Sequence, residues 1–205
     1  MKVGVVGAGG WGTALAKLLT ENGHQVTLWA YEQETMEEIN QKHTNERFLP
    51  GVVLPTELVA STDPAEVVQG AELLTFVVPS QWLRATAKHF IAYLSPDAVV
   101  VNAGKGVEIQ TLKTLTQVLK EELPALHHEI VALSGPNHSE EVSRGLPSAT
   151  VVAAPDLKVA ELVQEVFMSP YFRVYTNQDR TGVELGGALK NVFSMAAGIC
   201  DGLNF

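Results

Sequence analysis

The chain has 205 residues, 46% of them hydrophobic and 18% charged, with a formal net charge of −9 at pH 7. That suits a globular protein with a large core, built as one α/β domain or as one domain plus part of another. The acidic balance, with no Lys/Arg cluster to offset it, excludes a nucleic-acid surface, although a phosphorylated ligand needs only a few local cations. The one cysteine, Cys200, cannot form an internal disulfide, which points to a reducing compartment. Met1-Lys2-Val3 carries no signal-peptide pattern, and no apolar run is long enough to span a bilayer, so a cytoplasmic location is expected.

The first predicted strand, Val3 to Val6, runs into Gly7-Ala8-Gly9-Gly10-Trp11-Gly12. Gly7, Gly9 and Gly12 form Gly-x-Gly-x-x-Gly between a strand and a helix, the context in which this pattern binds a dinucleotide. The first glycine allows the tight turn, the second lets a pyrophosphate approach the backbone, and the third lets helix and strand pack closely. The exposed N–H groups of the helix start then favour phosphate charge. A helix is predicted over Trp11–Asn22 with Gly23 as its stop, and a second strand over Gln25–Trp29. About 20 residues beyond the glycines, an acidic side chain meets the adenosine ribose in NAD-binding folds. Glu32 is the candidate here, and a solvated loop carboxylate is the equal alternative. No Arg or Lys adjoins it for a ribose 2′-phosphate, which favours NAD over NADP.

Gln33–His43 reads as a helix, and the Pro/Gly-rich stretch Asn45–Pro55 as a loop near the cofactor. Val59–Thr62 is a short strand, and Asp63-Pro64 starts a short helix as N-cap and first residue. The apolar runs Glu72–Val78 and Ala98–Asn102 are expected as strands buried on both faces of a parallel sheet. Their ends, Pro79–Trp82 and Ala103–Gly106, then lie on the edge where α/β folds bind ligands, which marks Lys105 between its glycines. Helices are predicted over Leu83–Leu94 and Thr111–Leu123, and a strand over Glu129–Leu133. Ser134-Gly135-Pro136-Asn137-His138 then leads into a helix over Ser139–Arg144, a second plausible anion site through backbone N–H groups. His138 lacks an evident acidic partner and is read as a packing residue. Strands over Ser148–Ala153 and Phe172–Thr176 flank a helix over Pro155–Met168. The alternation predicts an α/β fold with a mostly parallel sheet covered on both faces. From Asp179 to Leu203 the spacing is helical, with small residues throughout and Lys190-Asn191 within an apolar stretch. Lys190 is either a snorkelling stem or a buried, functional ammonium. The apolar end Gly202-Leu203-Asn204-Phe205 has no capping stop and reads as a truncation.

Together these segments resemble the soluble NAD(P)-dependent glycerol-3-phosphate dehydrogenases of bacteria and eukaryotes. The resemblance runs through Gly7–Ala16, Leu49-Pro50-Gly51, Val77-Val78-Pro79-Ser80, Lys105-Gly106-Val107-Glu108, Leu133–Pro136, Gly145-Leu146-Pro147 and Phe172–Tyr175. It is longest over Gly182–Val192, and it covers the whole chain. It implies a Rossmann-like doubly wound domain over residues 1–178 and, over 179–205, the first helix of a helical substrate domain. It implies NAD(P)H as cofactor, no metal, and reversible reduction of dihydroxyacetone phosphate to sn-glycerol 3-phosphate, feeding glycerophospholipid synthesis. A homodimer is expected.

By the resemblance, Lys190 and Lys105 are the catalytic lysines, and Lys105 touches both substrate and nicotinamide. Gly135, Asn137 and Asn191 line the substrate pocket. Gly7, Gly9, Gly10, Trp11, Gly12, Tyr31, Glu32, Trp82 and Ser139 serve the cofactor. A depressed pKa is expected at Lys190, from burial and from the charge of Lys105. The chain departs from the family pattern at Gly10, where Ser or Asn is commoner. It departs also at Tyr31, Arg in many bacterial members, and at Asn137-His138-Ser139, usually Ser-Phe-Ala. The family continues with helical sequence that supplies further substrate contacts. This stretch alone is therefore expected to bind dinucleotide and to turn over little. The second reading is a non-catalytic dinucleotide-binding module on the same fold.

Overall fold

The computed structural model describes residues 1–204; the apolar terminus expected at Phe205 lies outside the described residues. The chain alternates in the order β1 (Lys2–Val6), α1 (Gly10–Glu21), β2 (Gln25–Trp29), α2 (Gln33–Lys42), β3 (Val59–Ser61), α3 (Pro64–Val68) and β4 (Leu73–Phe76). It continues with α4 (Leu83–Phe90), β5 (Val99–Asn102), α5 (Leu115–Glu122), β6 (Val131–Ser134), α6 (Ser139–Ser143), β7 (Ser148–Ala153), α7 (Leu157–Phe167), β8 (Phe172–Asn177) and α8 (Arg180–Gly202). The eight strands form one sheet in the order β3-β2-β1-β4-β5-β6-β7-β8. Every neighbouring pair is parallel except the antiparallel β6–β7.

Strand residues β4, β5 and β6 are buried throughout. That is the signature of a sheet covered on both faces, and it explains why these runs read as continuous apolar sequence. Alternate residues serve opposite faces. Leu73, Val99 and Val101 join Leu15, Leu19 and Phe167 in one core. Leu74, Phe76 and Val100 join Trp29, Phe90 and Leu119 in the other. In this second core Phe90 meets Trp29 and Phe76 edge-on, with centroids 5.5 and 5.8 Å apart. The chain moves outward from β1 to β3, then returns to β4 on the other side of β1. The carboxyl ends of β1 and β4 therefore face a topological switch point, where open α/β sheets place their ligands.

Two helix expectations need correction. The helix expected over Leu83–Leu94 ends at Phe90 and follows a single 3-10 turn, Ser80–Trp82. The helix expected from Thr111 starts at Leu115. Thr114 is its N-cap and Gln117 closes a capping box with it, while Leu112 sits at φ 58°, outside helical space. The remaining elements fall within a few residues of expectation. Among the described residues no helix is long and apolar enough to cross a membrane.

Helix α8 begins at the Asp179 cap, whose carboxylate accepts from the Gly182 N–H at 2.8 Å. Its first half packs on β6 and β7. Beyond Lys190 its apolar residues Val192, Phe193, Met195 and Ile199 are exposed.

Candidate functional site

The glycine turn after β1 has the geometry its pattern demands. Gly7 sits at φ 114°, where only glycine is relaxed, and a Cβ on Gly12 would collide with the Gly7 carbonyl oxygen. A Cβ on Gly9 would meet nothing within 4 Å. The free space for a ligand thus lies at Gly9. Gly9 is also the N-cap of α1, which has no side-chain cap and no acidic residue in its first turn. Its N–H groups and positive dipole end stay available for phosphate. The expected departure at Gly10 has a local reason: a Cβ there would stand 2.6 Å from the Phe48 carbonyl oxygen. The Pro/Gly loop is pressed onto the turn by Asn45, which is fully buried. Its Nδ2 donates to the Ala8 carbonyl at 2.9 Å and to the Thr13 hydroxyl at 2.8 Å.

A cleft of about 1020 Å³ opens from this turn, at the top of the roughly 300–1,000 Å³ range of ligand pockets. At its far end Tyr31 is 80% exposed and Trp82 66% exposed, a pair of large aromatic faces on the rim. Aromatic faces at such a rim suit a flat base. Glu32, the N-cap of α2, also lines the cleft, and its carboxylate lies 3.5 Å from the Arg47 guanidinium. The sequence reading found no cation beside Glu32; the structure brings one from the Pro/Gly loop. Ser139, Asn137 and Lys105 line the inner end. At the start of α6, the second anion site expected, the N-cap His138 makes no side-chain cap hydrogen bond, and Glu140 and Glu141 stand in the first turn. Glu140 in that first turn accepts from its own backbone N–H and from the Ser139 hydroxyl, which holds its carboxyl below the usual range.

Lys105 is seated by three elements. Trp11 on α1 donates its indole N–H to the Ala103 carbonyl at 3.2 Å and places its ring 5.6 Å from the Lys105 ammonium. Arg84 on α4 holds the loop after Lys105, donating to both carboxylate oxygens of Glu108 at 2.8 Å and also pairing with Glu121 and Glu122. The third element is α8, where a Cβ on Gly187 would overlap the Ser134 hydroxyl and stand 3.9 Å from the Lys105 stem. Burial pushes the Lys105 ammonium down to about 8, and the positive charge of Lys190 adds to the shift. Burial thus acts on Lys105, which the expectation treated only as a source of charge; Lys190 is half-buried on α8.

The cleft therefore gathers Gly7, Gly9, Gly10, Trp11, Gly12, Tyr31, Glu32, Trp82, Lys105, Asn137 and Ser139. Gly135, Lys190 and Asn191 lie outside its lining; the Lys190 charge acts on Lys105, which lines it, and Asn191 is exposed. His138 is exposed at the rim. Phe48 and His89 line the cleft without having been singled out by sequence. Phe48 lay in a loop whose path no periodicity describes. His89 sits on the solvent side of α4, where a histidine carries no signal. Glu184 was missed too, although a lone carboxylate among apolar and small helical residues was visible.

A doubly wound, mostly parallel sheet with a bare helix N-terminus and a free glycine face at its switch point is a dinucleotide-binding domain of the Rossmann type. Known proteins narrow this class. The family model described as NAD-dependent glycerol-3-phosphate dehydrogenase N-terminus matches residues 2–160, and its C-terminal counterpart matches residues 179–205. The chain belongs to that family.

Glycerol-3-phosphate dehydrogenase [NAD(P)+] of Lysinibacillus sphaericus is 48% identical over 205 residues, covering 100% of this chain and 61% of the relative. The protein of the same name from Desulfitobacterium hafniense is 50% identical over 204 residues, covering 100% of this chain and 57% of the relative. The crystal structure of glycerol-3-phosphate dehydrogenase from Coxiella burnetii superposes with a TM-score of 0.89 at 32% identity, over 99% of this chain and 62% of that one. The Plasmodium falciparum enzyme gives 0.90 at 31% identity, over 100% and 60%. The chain thus spans about three fifths of the length of the relatives it matches.

Proposed function

We propose that the chain is the cofactor-binding part of an NAD(P)-dependent glycerol-3-phosphate dehydrogenase, acting on dihydroxyacetone phosphate and sn-glycerol 3-phosphate. The observation that carries this reading is Lys105, an ammonium lowered to about 8 that lines the same cleft as the bare N-terminus of α1. The residues fit a dinucleotide. The α1 amides at Gly9, Gly10 and Trp11 would hold the pyrophosphate, Glu32 the ribose, and Tyr31 and Trp82 the adenine. When bound, the reduced nicotinamide would supply the hydride.

The protein's own part is charge and protons. In the reductive direction the Lys105 ammonium faces the substrate oxygen, stabilises negative charge developing there, and gives up a proton. In the oxidative direction the neutral amine accepts the hydroxyl proton. A pKa of about 8 keeps both forms populated near neutral pH, which either direction needs. Lys190 adds a second positive charge for the phosphorylated substrate, with Asn191, Gly135 and Asn137 around it. The exposed apolar side of α8 is then the seat for the further helical sequence that the relatives contain. In this reading residues 1–178 form the cofactor domain and 179–205 begin the substrate domain, in a cytoplasmic homodimer that supplies glycerol 3-phosphate for phospholipid synthesis.

The test is titration with NADH and NADPH while tryptophan fluorescence is followed. All three tryptophans, Trp11, Trp29 and Trp82, line the cleft, so a bound nicotinamide dinucleotide quenches them together. Saturable quenching by either cofactor is expected, and its absence for both would overturn the cofactor assignment. Tighter NADPH binding that is lost in Arg47→Ala would assign the 2′-phosphate to Arg47. Dinucleotide binding without dihydroxyacetone phosphate reduction by the full-length protein would favour the non-catalytic module.

A further inference from the structure

Glu184 stands out as a buried carboxylate in α8 with no lysine or arginine partner among the described residues. It is 7% exposed. Its Oε1 accepts from the Thr116 backbone N–H at 2.9 Å, and its Oε2 accepts from the Thr116 hydroxyl at 2.6 Å. Thr116 lies in the first turn of α5, so the carboxylate also meets the positive end of that helix. Such a clasp satisfies a buried charge without neutralising it by a cation.

The clasp also has a direction. Glu184, Gly187 and Asn191 follow one another at spacings of three and four residues, which places them along one stripe of α8, with Lys190 beside it. At Gly187 α8 lies so close over Ser134 that a Cβ would overlap the hydroxyl, and that Cβ would come within 3.9 Å, ordinary contact, of the Lys105 stem. Helix α8 also packs on β6 and β7, and its first residue Arg180 donates to the Ile130 carbonyl; the Glu184 clasp adds a fixed point on α5, one turn before Gly187. The far end of α5 is tied through Glu121 and Glu122 to Arg84, which also grips Glu108 beside the Lys105 loop. Thus α5 connects the helix that carries Lys190 to the loop that carries Lys105.

We propose that Glu184 is a positioning residue, whose grip on Thr116 sets the rotation of α8 and so holds Gly187 and Lys190 against Lys105. The proposal deepens the functional reading above and rests on it for the catalytic meaning of the two lysines. Its geometric content is independent of substrate. The carboxylate touches neither ligand nor reacting atoms; it acts by fixing how far α8 covers one lysine and how near it brings the other.

The experiment reads Lys105 itself, by side-chain NMR titration of the 205-residue chain without ligand. Lys105 faces the Trp11 ring from α1 and the Lys190 charge from α8, the one ionised neighbour among the described residues that shifts it. In Glu184→Ala the clasp is gone, α8 is free to turn, and both burial and repulsion at Lys105 fall. Its midpoint is expected to rise from about 8 towards the ordinary 10.5. Glu184→Gln removes the same negative charge but keeps an acceptor for the Thr116 N–H and can donate to the hydroxyl. There the midpoint is expected to stay near 8.

Loss of a nearby negative charge alone lowers an ammonium pKa, so a rise cannot come from removal of the Glu184 charge itself. A midpoint unchanged or lowered in folded Glu184→Ala, or a rise shared by both variants, would overturn the proposal. If Glu184→Ala does not fold, Thr116→Val removes only the hydroxyl bond. A smaller upward shift is then expected, and none would count equally against the clasp. Cofactor titration of the same samples separates the two ideas: failed dinucleotide binding by the parent chain would sink the functional reading while leaving the lysine result to stand.

Discussion

The Trp11 ring lies 5.6 Å below the Lys105 ammonium while its indole N–H holds the Ala103 carbonyl at 3.2 Å. One residue of the glycine turn therefore fixes both the backbone that enters the Lys105 loop and the ammonium at its tip. A cation over an indole face gains roughly 0.5–2 kcal/mol, more as water is excluded. That gain offsets part of the cost of burying the charge. It also explains how a lysine with a lowered pKa can stay seated beside a phosphate site instead of swinging into solvent.

The lowered pKa has a sign for stability. The folded ammonium loses its proton near 8 and the unfolded one near 10.5, so between these values the unfolded chain binds more protons and stability rises with pH. Burial of the charged form is a cost carried below pH 8 and relieved above it. Lys105→Met is therefore expected to be more stable than the parent below pH 8, with the advantage shrinking as pH approaches 10.5. Urea unfolding of both chains across that window checks this. A difference that does not change with pH would contradict the burial.

The two glycines at the turn should separate ligand binding from folding. Gly9→Ala points a methyl into open space in an extended backbone, so the midpoint of thermal unfolding should hold. Dinucleotide affinity should fall by at least about tenfold, because the methyl occupies the phosphate path. Gly12→Ala drives a methyl into the Gly7 carbonyl and should cost about 1–3 kcal/mol of stability. Fluorescence titration beside a thermal melt distinguishes the two outcomes.

Asn45→Ala should loosen the Pro/Gly loop. The fully buried amide donates to the Ala8 carbonyl and the Thr13 hydroxyl, and its removal strips both contacts from the back of the glycine turn. A loss of about 1–3 kcal/mol is expected in chemical denaturation. Faster amide exchange should appear across residues 43–55, with β1 protected as before.

Acid should release the Lys105 loop before it unfolds the sheet. Hydrogen bonds from Arg84 first, and from Thr111 second, hold the Glu108 carboxyl down at about 2. A depressed carboxyl contributes stability above its unfolded value of 4.5, lost as pH falls from there through about 2. Exchange of amides in residues 105–114 should therefore speed up across that range, and in Arg84→Met it should already be fast at neutral pH.

Much of this was legible in order along the chain. The apolar runs Leu73–Phe76 and Val99–Asn102 announced strands covered on both faces, because a buried strand needs no polar alternation. Gly7, Gly9 and Gly12 announced the phosphate turn: Gly7 and Gly12 because a Cβ would collide there, and Gly9 because it leaves open space for the ligand. The start of α5 was misread by four residues: Thr111 and Thr114 are both plausible caps, and only the reciprocal bond with Gln117 selects Thr114.

Local chemistry along the chain was thus enough to determine the alternation of strands and helices and the glycine turn, and to mark Lys105. Each of these follows from contacts or conformations within a few residues; Lys190 became a candidate only through the family resemblance. The tertiary structure alone decided which groups meet: Arg47 beside Glu32, Glu184 on Thr116, and α8 against Lys105. It also decided that burial lowers the Lys105 ammonium. Desolvation and charge repulsion depend on distance in space, and neither the 68-residue separation of Thr116 and Glu184 nor the spacing of two lysines in sequence encodes that distance.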